Sequence, residues 1–486
     1  MQRLALSIAV MIIALCAPAF GTSATELNNG TKLIIKEGTD SVFYTYQNYQ
    51  DVWYAYSEGG SSWDADVVDE TEHDHPTIAA DSTGRRWIVA RCPVIFPGFT
   101  VTQQAYYWNG SAWAGPQSIY SINPLNGDLG PASLDGAAFT STSWAYSAFL
   151  VSEANTKRVV LTKFNGSTVA ACTVISHPYL GDPSIAVEPY KADSNRIHIT
   201  YECRDTIRYA DCLDSRTSSS IGNVSLLNVG LDSVTVQHPS INADRGLVVV
   251  AYAKGSGEPD APEIYARKRA TSGSTWEDAG NLSNSYYNPS DWPTIAMGDA
   301  AGGVDTVVVA WEEAISAGDH DIYACINFDP DDVVNIADDD TFSLFPHATL
   351  QDAGDELYLH TIWSEPNYVV GYDKLDLRSG RREGQQCAAS LPMTANPSLG
   401  AWEPNPFHGH ARISYALPTA NSVTLGVYDA TGRPVRTLAS GNQTAGNYSA
   451  SWDARDAEGK RVPYGIYFCR LDTPGFRSVQ KAVLTK

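Results

Sequence analysis

The chain has little positive charge, few cysteines and few methionines for its 486 residues. Its 33 lysines and arginines against 55 aspartates and glutamates leave a net charge of −22. This argues against nucleic acid or an anionic membrane as partners, since both require basic patches. Helical periodicity is absent, and 26 tyrosines and 12 tryptophans beside 4 methionines favour an all-β chain.

Long apolar runs are absent after the N-terminal segment. There, Arg3 precedes an apolar run over residues 4–16 that is too short to span a bilayer. Small residues follow, which predicts a secretory signal peptide over residues 1–24, cut between Ala19 and Ala24. No later run is long enough for a transmembrane helix, so we expect an exported, soluble protein.

Cysteine pairs with the Cys-x-x-Cys spacing of a structural zinc site are also absent. Removal of Cys16 with the signal peptide leaves seven cysteines, an odd number that leaves at least one thiol unpaired. Cys203 and Cys212 flank a predicted hairpin over residues 201–213, which predicts a local disulfide. The alternative is that these cysteines are buried as small apolar side chains.

A short phrase around a proline is present six times, at intervals of 52–56 residues. A steady period of this length predicts the blades of a propeller or the units of a solenoid. The six copies are His75-Pro76-Thr77-Ile78, Gly130-Pro131-Ala132-Ser133-Leu134, Asp182-Pro183-Ser184-Ile185, His238-Pro239-Ser240-Ile241, Trp292-Pro293-Thr294-Ile295 and Phe345-Pro346-His347-Ala348.

Each phrase is followed by further strand-like runs, and four short antiparallel strands per repeat are typical of a propeller blade. Residues 41–56 contain one more hairpin of this kind without a phrase ahead of it. Residues 33–36 either supply its missing first strand or complete the last blade. We therefore predict a seven-bladed β-propeller over residues 25–377, with six blades as the alternative.

A second domain follows a change in composition. Residues 378–402 are rich in Ser, Gly, Arg, Gln and Pro and predict a linker. Residues 403–486 alternate short strands with turns at Asp429-Ala430-Thr431-Gly432 and Asp456-Ala457-Glu458-Gly459. This rhythm predicts a small immunoglobulin-like β-sandwich.

Residues 403–486 also carry an ordered series of motifs: Glu403-Pro404-Asn405-Pro406-Phe407, Val427-Tyr428-Asp429, Trp452-Asp453-Ala454, Gly465-Ile466-Tyr467-Phe468 and the terminal Lys481-Ala482-Val483-Leu484-Thr485-Lys486. This series resembles the FlgD-like immunoglobulin domain and the type A C-terminal sorting domain of the type IX secretion system. The resemblance implies a tail that is read by secretion machinery and delivers the protein to the surface or medium of a Gram-negative-type bacterium. An inert spacer domain is the alternative.

The repeated region resembles the sialidase-like propellers with BNR repeats. It contains turns at Gly60-Ser61-Ser62-Trp63, Gly110-Ser111-Ala112-Trp113 and Gly273-Ser274-Thr275-Trp276, and Gly166-Ser167-Thr168 is a copy without tryptophan. The aspartate of that family's Asp-box is missing, and so is its Phe/Tyr-Arg-Ile-Pro start. Sialidases bind the substrate carboxylate with three arginines. Arg91, Arg204 and Arg267 occupy three different blades here, but no motif identifies them as that triad.

In a propeller, the loops before the first strands and after the second strands meet at one mouth of the central channel. A ring of histidines, acids and aromatics there predicts a binding site for a glycan or protein ligand. Glu312 and Glu313 face opposite ways on a strand and cannot act as a pair. The predicted ligand-binding residues are His75, Arg91, Asp182, Glu202, Arg204, His238, Asp291, Trp292, Glu312, His347 and Glu365.

No cofactor is predicted. Two acidic clusters, within residues 64–74 and 329–340, lack the spacing of an EF-hand loop. They are interpreted as solvated loops, with calcium binding as the alternative. The sequence favours a binding protein over an enzyme. An exo-acting glycoside hydrolase of sialidase-like fold and a structural or adhesion component of the cell surface are the other two hypotheses.

Overall fold

The computed structural model describes most of the chain between residues 32 and 485, and all regular secondary structure in that part is β-strand. The predicted signal peptide lies outside the described residues. Among the described residues, no helix is long and apolar enough to cross a membrane. The described residues are 32–36, 39–48, 51–60, 62–69, 73–81, 84–92, 100–123, 127–139, 142–191, 194–215, 219–222, 224–233, 236–244, 246–255, 262–285, 288–300, 304–316, 319–337, 343–354, 356–365, 369–382, 386–387, 398–403, 405–417, 421–444, 446–473 and 476–485.

Seven sheets within these residues share one plan, in which the first four strands pair antiparallel in chain order. Sheet 1 contains β1 (Leu33–Ile35), β2 (Ser41–Asn48), β3 (Asp51–Glu58) and β4 (Asp64–Asp69). Sheet 2 contains β5 (Asp74–Ala80), β6 (Arg86–Cys92), β7 (Val101–Trp108) and β8 (Trp113–Ile122), and sheet 3 contains β9 (Gly127–Phe139), β10 (Thr142–Glu153), β11 (Thr156–Phe164) and β12 (Val169–His177). Sheet 4 contains β13 (Ser184–Lys191), β14 (Ser194–Glu202), β15 (Thr206–Ser215) and β16 (Val224–Ser233).

Sheet 5 contains β17 (Val236–Asp244), β18 (Leu247–Lys254), β19 (Glu263–Ala270) and β20 (Glu277–Asn281). Sheet 6 contains β21 (Ser290–Ala300), β22 (Val304–Ser316), β23 (Asp319–Ile326) and β24 (Val333–Ala337). Sheet 7 contains β25 (Leu344–Asp352), β26 (Leu357–Glu365), β27 (Val369–Asp376), β28 (Arg381–Arg382) and β29 (Gln386–Cys387). The second strands are apolar on both faces, as in β18, because a neighbouring sheet covers each face.

The first strands contact one another in sheet order, and β25 contacts β1. The first strands of the described sheets therefore follow one another around a propeller ring. Leu33 pairs with Tyr44, so residues 33–35 are the first strand of sheet 1 and do not complete sheet 7. The ends of the ring meet through side chains, as where Gln351 Nε2 donates to the Thr39 carbonyl at 3.0 Å.

A tryptophan that follows a Gly-Ser turn packs each of three sheets against the preceding sheet. The rings meet edge to face, with centroids 5.0–5.1 Å apart, in the pairs Trp63–Tyr372, Trp113–Tyr54 and Trp276–Tyr209. The tyrosine is on the third strand of the preceding sheet in every case. Such aromatic pairs contribute about 0.5–1.5 kcal/mol beyond the area that they bury. The repeated turn therefore joins neighbouring blades.

Two of the four Gly-Ser turns, at Gly110 and Gly166, are capped by an asparagine, whereas the resembled Asp-box has an aspartate. Asn109 Oδ1 accepts the N–H groups of Ser111 and Ala112, both at 3.0 Å. Asn165 repeats this arrangement in sheet 3. Gly110, which lies between Asn109 and Ser111, adopts a φ of 106°, which only glycine tolerates readily. The acceptor is the residue directly before the glycine, whereas the aspartate of the Asp-box stands two residues before its glycine.

The predicted linker over residues 378–402 is too long. β28 and β29 at Arg381–Arg382 and Gln386–Cys387 both pair with β27 and belong to sheet 7. β30 (Ser398–Glu403) pairs with β31 (Ala411–Leu417) of the second domain. Backbone pairing extends into the polar segment because hydrogen bonds to an edge strand do not require apolar side chains. The residues between β29 and β30 lie outside the described residues.

The second domain is a two-sheet sandwich, as predicted. One sheet has the order β30-β31-β34 and the other β33-β32-β35-β36, with β32 (Asn421–Asp429), β33 (Pro434–Gln443), β34 (Gly446–Trp452), β35 (Gly465–Thr473) and β36 (Phe476–Leu484). Its core contains Trp402, Phe407 and Trp452, all buried. The Tyr467 hydroxyl donates to the Pro463 carbonyl at 2.7 Å, a bond like the tyrosine corner of immunoglobulin folds.

The predicted disulfide between Cys203 and Cys212 is wrong, since both are free thiols. Glu202 pairs with Ile207 beside the turn, whereas Cys212 pairs with Ile197 near the far end of the hairpin. Five residues of strand separate Ile207 from Cys212, which is roughly 17 Å, far beyond the ~7 Å limit between bridged Cα atoms. The alternative of burial holds for Cys212, and burial raises the pKa of its thiol to about 12.

Candidate functional site

The first strands of the seven sheets surround a central cavity of about 220 Å³. Its wall combines apolar residues with Asp135, Ser184 and Asn242, and the repeated phrase contributes Trp292, Phe345 and His347. This volume is below the roughly 300–1,000 Å³ of pockets that enclose drug-sized ligands. Only a small chemical group therefore fits inside, and a larger ligand has to bind at a mouth.

The residue before the repeated proline has an unusual backbone conformation in four copies. His75, His238, Trp292 and Phe345 have φ values of 50–53°. The pairing of the first strand with the second shifts register at each of these four positions. Side chains along a regular strand point alternately to the two faces of the sheet, and a bulge of this kind changes the direction of one of them. The bulges explain why the phrase recurs at this place in the fold.

Side chains at the ends of the second strands reach the bulge of the next sheet. The backbone N–H of His75 donates to Gln47 Oε1 at 3.2 Å, and that of His238 donates to Glu202 Oε1 at 2.6 Å. The N–H of Phe345 donates in the same way to Glu312 Oε2 at 2.9 Å. Glu202 and Glu312 therefore join neighbouring sheets, in addition to any role toward a ligand.

Arg91 is held by Asp74 of its own sheet. Its Nε and Nη2 donate to the two Asp74 carboxylate oxygens at 2.7 and 2.5 Å, and its Nη1 donates to the Leu129 carbonyl of sheet 3 at 2.9 Å. His75 Nδ1 is 2.9 Å from Asp74 Oδ1. Burial by itself would raise the pKa of Asp74, but the hydrogen bonds and charge of Arg91 outweigh it and hold this pKa well below its usual value of 3.8. Arg91 is thus committed to a pair inside the protein.

His238, Asp291 and Trp292 form the centre of the site. The His238 ring stacks on the Trp292 ring with centroids 3.6 Å apart and an angle of 16° between the planes, and the Phe345 ring meets Trp292 edge-on at 5.2 Å. His238 Nδ1 is 2.6 Å from Asp291 Oδ1, and Gln237 Nε2 donates to Asp291 Oδ2 at 2.9 Å. Burial lowers the pKa of His238, but the hydrogen bond and charge of Asp291 raise it more.

Three further carboxyl groups surround this centre. Burial raises the pKa of Asp182, and the nearby charges of His75 and His238 oppose that rise. Burial also raises the pKa of Glu202, and it raises the pKa of Glu312 to about 8, with a smaller contribution from the charge of Asp291. Acids with pKa values shifted in this direction are common at functional sites. We call the following residues the mouth cluster: Asp182, Glu202, His238, Asp291, Trp292, Glu312 and Phe345.

Several predicted ligand-binding residues are placed differently. Arg204 is exposed and has its guanidinium 5.2 Å from the centroid of the Tyr179 ring. His347 is buried and lines the cavity below the mouth. Glu365 ends β26, where it pairs with Val369. Arg267 lies 3.3 Å from Asp278, so Arg91, Arg204 and Arg267 each have a different partner and form no carboxylate-binding triad.

Gln47 and Asp74 are site residues that the sequence analysis missed. Gln47 belongs to the hairpin without a repeated phrase, so the repeat did not mark it. Asp74 stands directly before His75 as Asp291 stands before Trp292, and this shared acidic position was a visible signal. Glu312 and Glu313 do face opposite ways, since Glu313 accepts instead from the Trp311 indole N–H at 3.2 Å.

Across the described residues, no group of three or more His, Cys, Asp or Glu side chains is arranged to hold a metal ion. Parts of both acidic clusters, including Glu70, Glu72 and Asp338–Asp340, lie outside the described residues. The calcium alternative therefore stays a prediction about those loops.

Solved structures with a similar fold include an ulvan lyase of polysaccharide lyase family 25, with a TM-score of 0.46 at 12% identity over 73% of this chain and 94% of the lyase. A puromycin-hydrolysing peptidase from Mycobacterium tuberculosis has a TM-score of 0.41 at 11% identity, over 82% of this chain and 61% of the peptidase. A sialidase from Streptococcus pneumoniae has a TM-score of 0.41 at 10% identity, over 75% and 70% of the two chains. None of these similarities transfers an activity to this chain.

No curated protein sequence matches the chain. In the second domain, most of the buried core comes from β31, β32 and β35. These strands lie in the part of the chain that matches a protein family. Residues 405–472 match the family of FlgD Ig-like domains.

Proposed function

We propose that the propeller binds a glycan at the channel mouth, with the mouth cluster as its binding site. The stack of His238, Trp292 and Phe345 beside the Asp291 carboxylate is the observation that carries this proposal. Sugar rings bind proteins through contact of their C–H faces with aromatic rings and through hydroxyl groups that donate to carboxylates. The side chains of His238 and Asp291 retain 28% and 20% exposure, so part of the cluster stays accessible to a ligand.

A glycan array probed with the full chain tests this proposal. We expect binding to a restricted set of glycans, and the Trp292→Ala variant should bind them at least tenfold more weakly, or about 1.4 kcal/mol. Tyr464→Ala is the matched control, because Tyr464 is 57% exposed and belongs to the second domain. Absence of binding to any glycan, or equal loss in both variants, would contradict a glycan site at the mouth.

An exo-acting glycoside hydrolase is the second candidate, and the protonated state of Glu312 favours it. A carboxyl group with a pKa of about 8 is a general acid at neutral pH, and the Asp291 carboxylate is near enough for its charge to affect that pKa. Fluorogenic glycosides test this candidate. Turnover that Glu312→Gln abolishes and Glu313→Gln preserves would establish an enzyme, and binding without turnover would exclude one of this class.

The second domain is proposed to direct export. Its match to the FlgD Ig-like family and the terminal lysine-rich motif support a role as a type IX sorting domain on a secreted or surface-displayed protein. Deletion of residues 403–486 in a bacterium with that secretion system should leave the protein in the periplasm. Its appearance at the surface or in the medium without this domain would refute the sorting role.

A further inference from the structure

The mouth cluster combines aromatic rings with a buried carboxyl group that has spare hydrogen-bonding capacity. Glu312 is only 8% exposed, and its Oε2 accepts the backbone N–H of the cavity-lining Phe345. Within the part of the chain that the structure describes, no residue donates a hydrogen bond to its other oxygen, Oε1. Oε1 is not among the fully buried side-chain atoms that lack a partner, so it keeps some contact with solvent and can accept a donor from a ligand.

Two cationic side chains near Asp182 of the mouth cluster, Arg91 and Lys157, are already engaged inside the protein. Arg91 donates two hydrogen bonds to the Asp74 carboxylate and one to the Leu129 carbonyl. Lys157 Nζ donates to the Leu180 carbonyl at 3.0 Å. Recognition of a sugar carboxylate or sulfate uses such groups, ideally an arginine with both its donors available. Within the mouth cluster the one cationic side chain, His238, is compensated by Asp291, so an anionic saccharide finds no uncompensated positive charge there.

We infer that the glycan bound at the mouth carries a protonated amino group, as glucosamine does, and that this ammonium group is received by Glu312 and Asp291 beside Trp292 and Phe345. The inference rests on the proposed function and narrows it to one class of saccharide. An ammonium group donates to the Glu312 carboxyl, and its charge is attracted to aromatic faces by about 0.5–2 kcal/mol. The positive charge of the ammonium group also stabilises the ionised forms of Glu202 and Glu312, whose pKa values are raised by burial.

Binding of such a ligand should release protons. Glu312 is mostly protonated in the free protein at neutral pH, because burial raises its pKa to about 8. An ammonium group beside it stabilises the carboxylate and lowers that pKa again, so a proton leaves the protein as the ligand binds. A neutral saccharide at the same site has no such effect.

Isothermal titration calorimetry of the full chain with three tetrasaccharides tests the inference: β-1,4-linked glucosamine, its N-acetylated form and a galacturonate. The titrations are run near pH 6, where amines of this kind are protonated. Comparison of buffers with different ionisation enthalpies measures how many protons are released on binding. We expect the glucosamine tetramer to bind at least tenfold more tightly than the N-acetylated tetramer and to release protons. The galacturonate should bind most weakly.

Glu312→Gln should remove the proton release and most of the preference for the amine, because glutamine still accepts the Phe345 N–H but carries no charge. Glu313→Gln, which changes the neighbouring buried acid on the opposite face, should change neither. Equal loss in both variants would overturn the role of Glu312.

Equal affinity for the glucosamine and N-acetylated tetramers would overturn the ammonium inference while the proposed function stands. Binding of no saccharide in the titrations or on the array would overturn the proposed function itself. Tetralysine as a fourth ligand separates the two classes of amine. Tighter binding of tetralysine than of the glucosamine tetramer would show that the site takes a peptide amine, which also overturns the inference.

Discussion

Lys163 is fully buried between sheets 3 and 4 and shows how single residues hold neighbouring blades together. Its Nζ lies 2.5 Å from Asp214 Oδ2 and donates to the Ser215 carbonyl at 2.8 Å. The Tyr146 hydroxyl also donates to Asp214, at 2.8 Å. A buried pair of this kind adds little net stability compared with apolar residues, but removal of one partner leaves a charge without compensation.

Lys163→Met should therefore destabilise the protein by about 3 kcal/mol, because Asp214 keeps its burial and loses its counter-charge. Urea denaturation followed by tryptophan fluorescence measures this change. The control is Arg158→Met, which breaks the Arg158–Glu153 pair near the surface of the same sheet and should cost less than about 1 kcal/mol. Equal costs would mean that the Lys163–Asp214 pair is not held in a low-dielectric interior.

Asp74 should make the folded protein sensitive to acid. Its pKa is lower in the folded protein than in the unfolded chain, so it stabilises the fold above about pH 4 and loses this contribution as the pH falls further. Asp74→Asn should reduce the slope of stability against pH between about pH 4 and pH 2, while it lowers stability at pH 7. Thermal melts of both proteins across this range provide the measurement, and parallel curves would contradict the prediction.

The bulge before the repeated proline, present in four of the six copies, is the element that builds the site. It turns His238 and Trp292 toward each other across neighbouring first strands, where a regular strand would not bring them into contact. A residue other than glycine with positive φ costs of order 1 kcal/mol. At three of the four bulges the neighbouring sheet offsets this cost by accepting the N–H through Gln47, Glu202 or Glu312. The N–H of Trp292 donates instead to Asp291 of its own sheet.

The bulge at His75 should discriminate between substitutions by their backbone preference alone. His75→Val should be less stable than His75→Asn by about 1–2 kcal/mol, because β-branched residues resist positive φ and asparagine tolerates it. Both variants lose the imidazole and keep the N–H that donates to Gln47, so the difference between them isolates the backbone term. Chemical denaturation gives the two free energies, and equal values would show that the bulge relaxes.

At the scale of the whole propeller, the ring has to close where its two chain ends meet. Sheets 1 and 7 exchange no strand among the described residues and depend on packing between Trp63 and Tyr372 and on the bonds of Gln351. Gly60 lies directly against Tyr372, whose hydroxyl is 2.8 Å from His360 Nδ1 inside the core. A side chain at position 60 would overlap this tyrosine.

Gly60→Ala should therefore destabilise the propeller more than Gly59→Ala, by at least about 2 kcal/mol, since the buried tyrosine cannot move without breaking a hydrogen bond. Both glycines have positive φ, 76° and 78°, so the backbone strain is the same in the two variants. A Cβ at Gly59 meets no atom within 4 Å. Thermal unfolding compares the pair, and equal melting temperatures would show that this contact does not close the ring.

Much of the fold was predictable because local patterns specify it. Strand runs at a fixed order behind each proline predict four-stranded blades, and a sandwich is predicted where short strands alternate with turns. The limits of the linker and the distance between Cys203 and Cys212 depend on strand pairing and register. Local composition does not specify either of them. The asparagine caps at Asn109 and Asn165 were missed because a side-chain acceptor one residue further along satisfies the same turn.

The amino-acid sequence by itself determined the architecture of this protein, since the period of the repeat and the apolar second strands specify blades that must cover one another. It also placed His238, Asp291, Trp292 and Glu312 at one mouth. The tertiary structure alone decided their chemistry. Asp74 engages Arg91, the bulges stack His238 on Trp292, and burial changes the protonation of Glu312, because charge pairing and desolvation depend on residues that are distant in the chain.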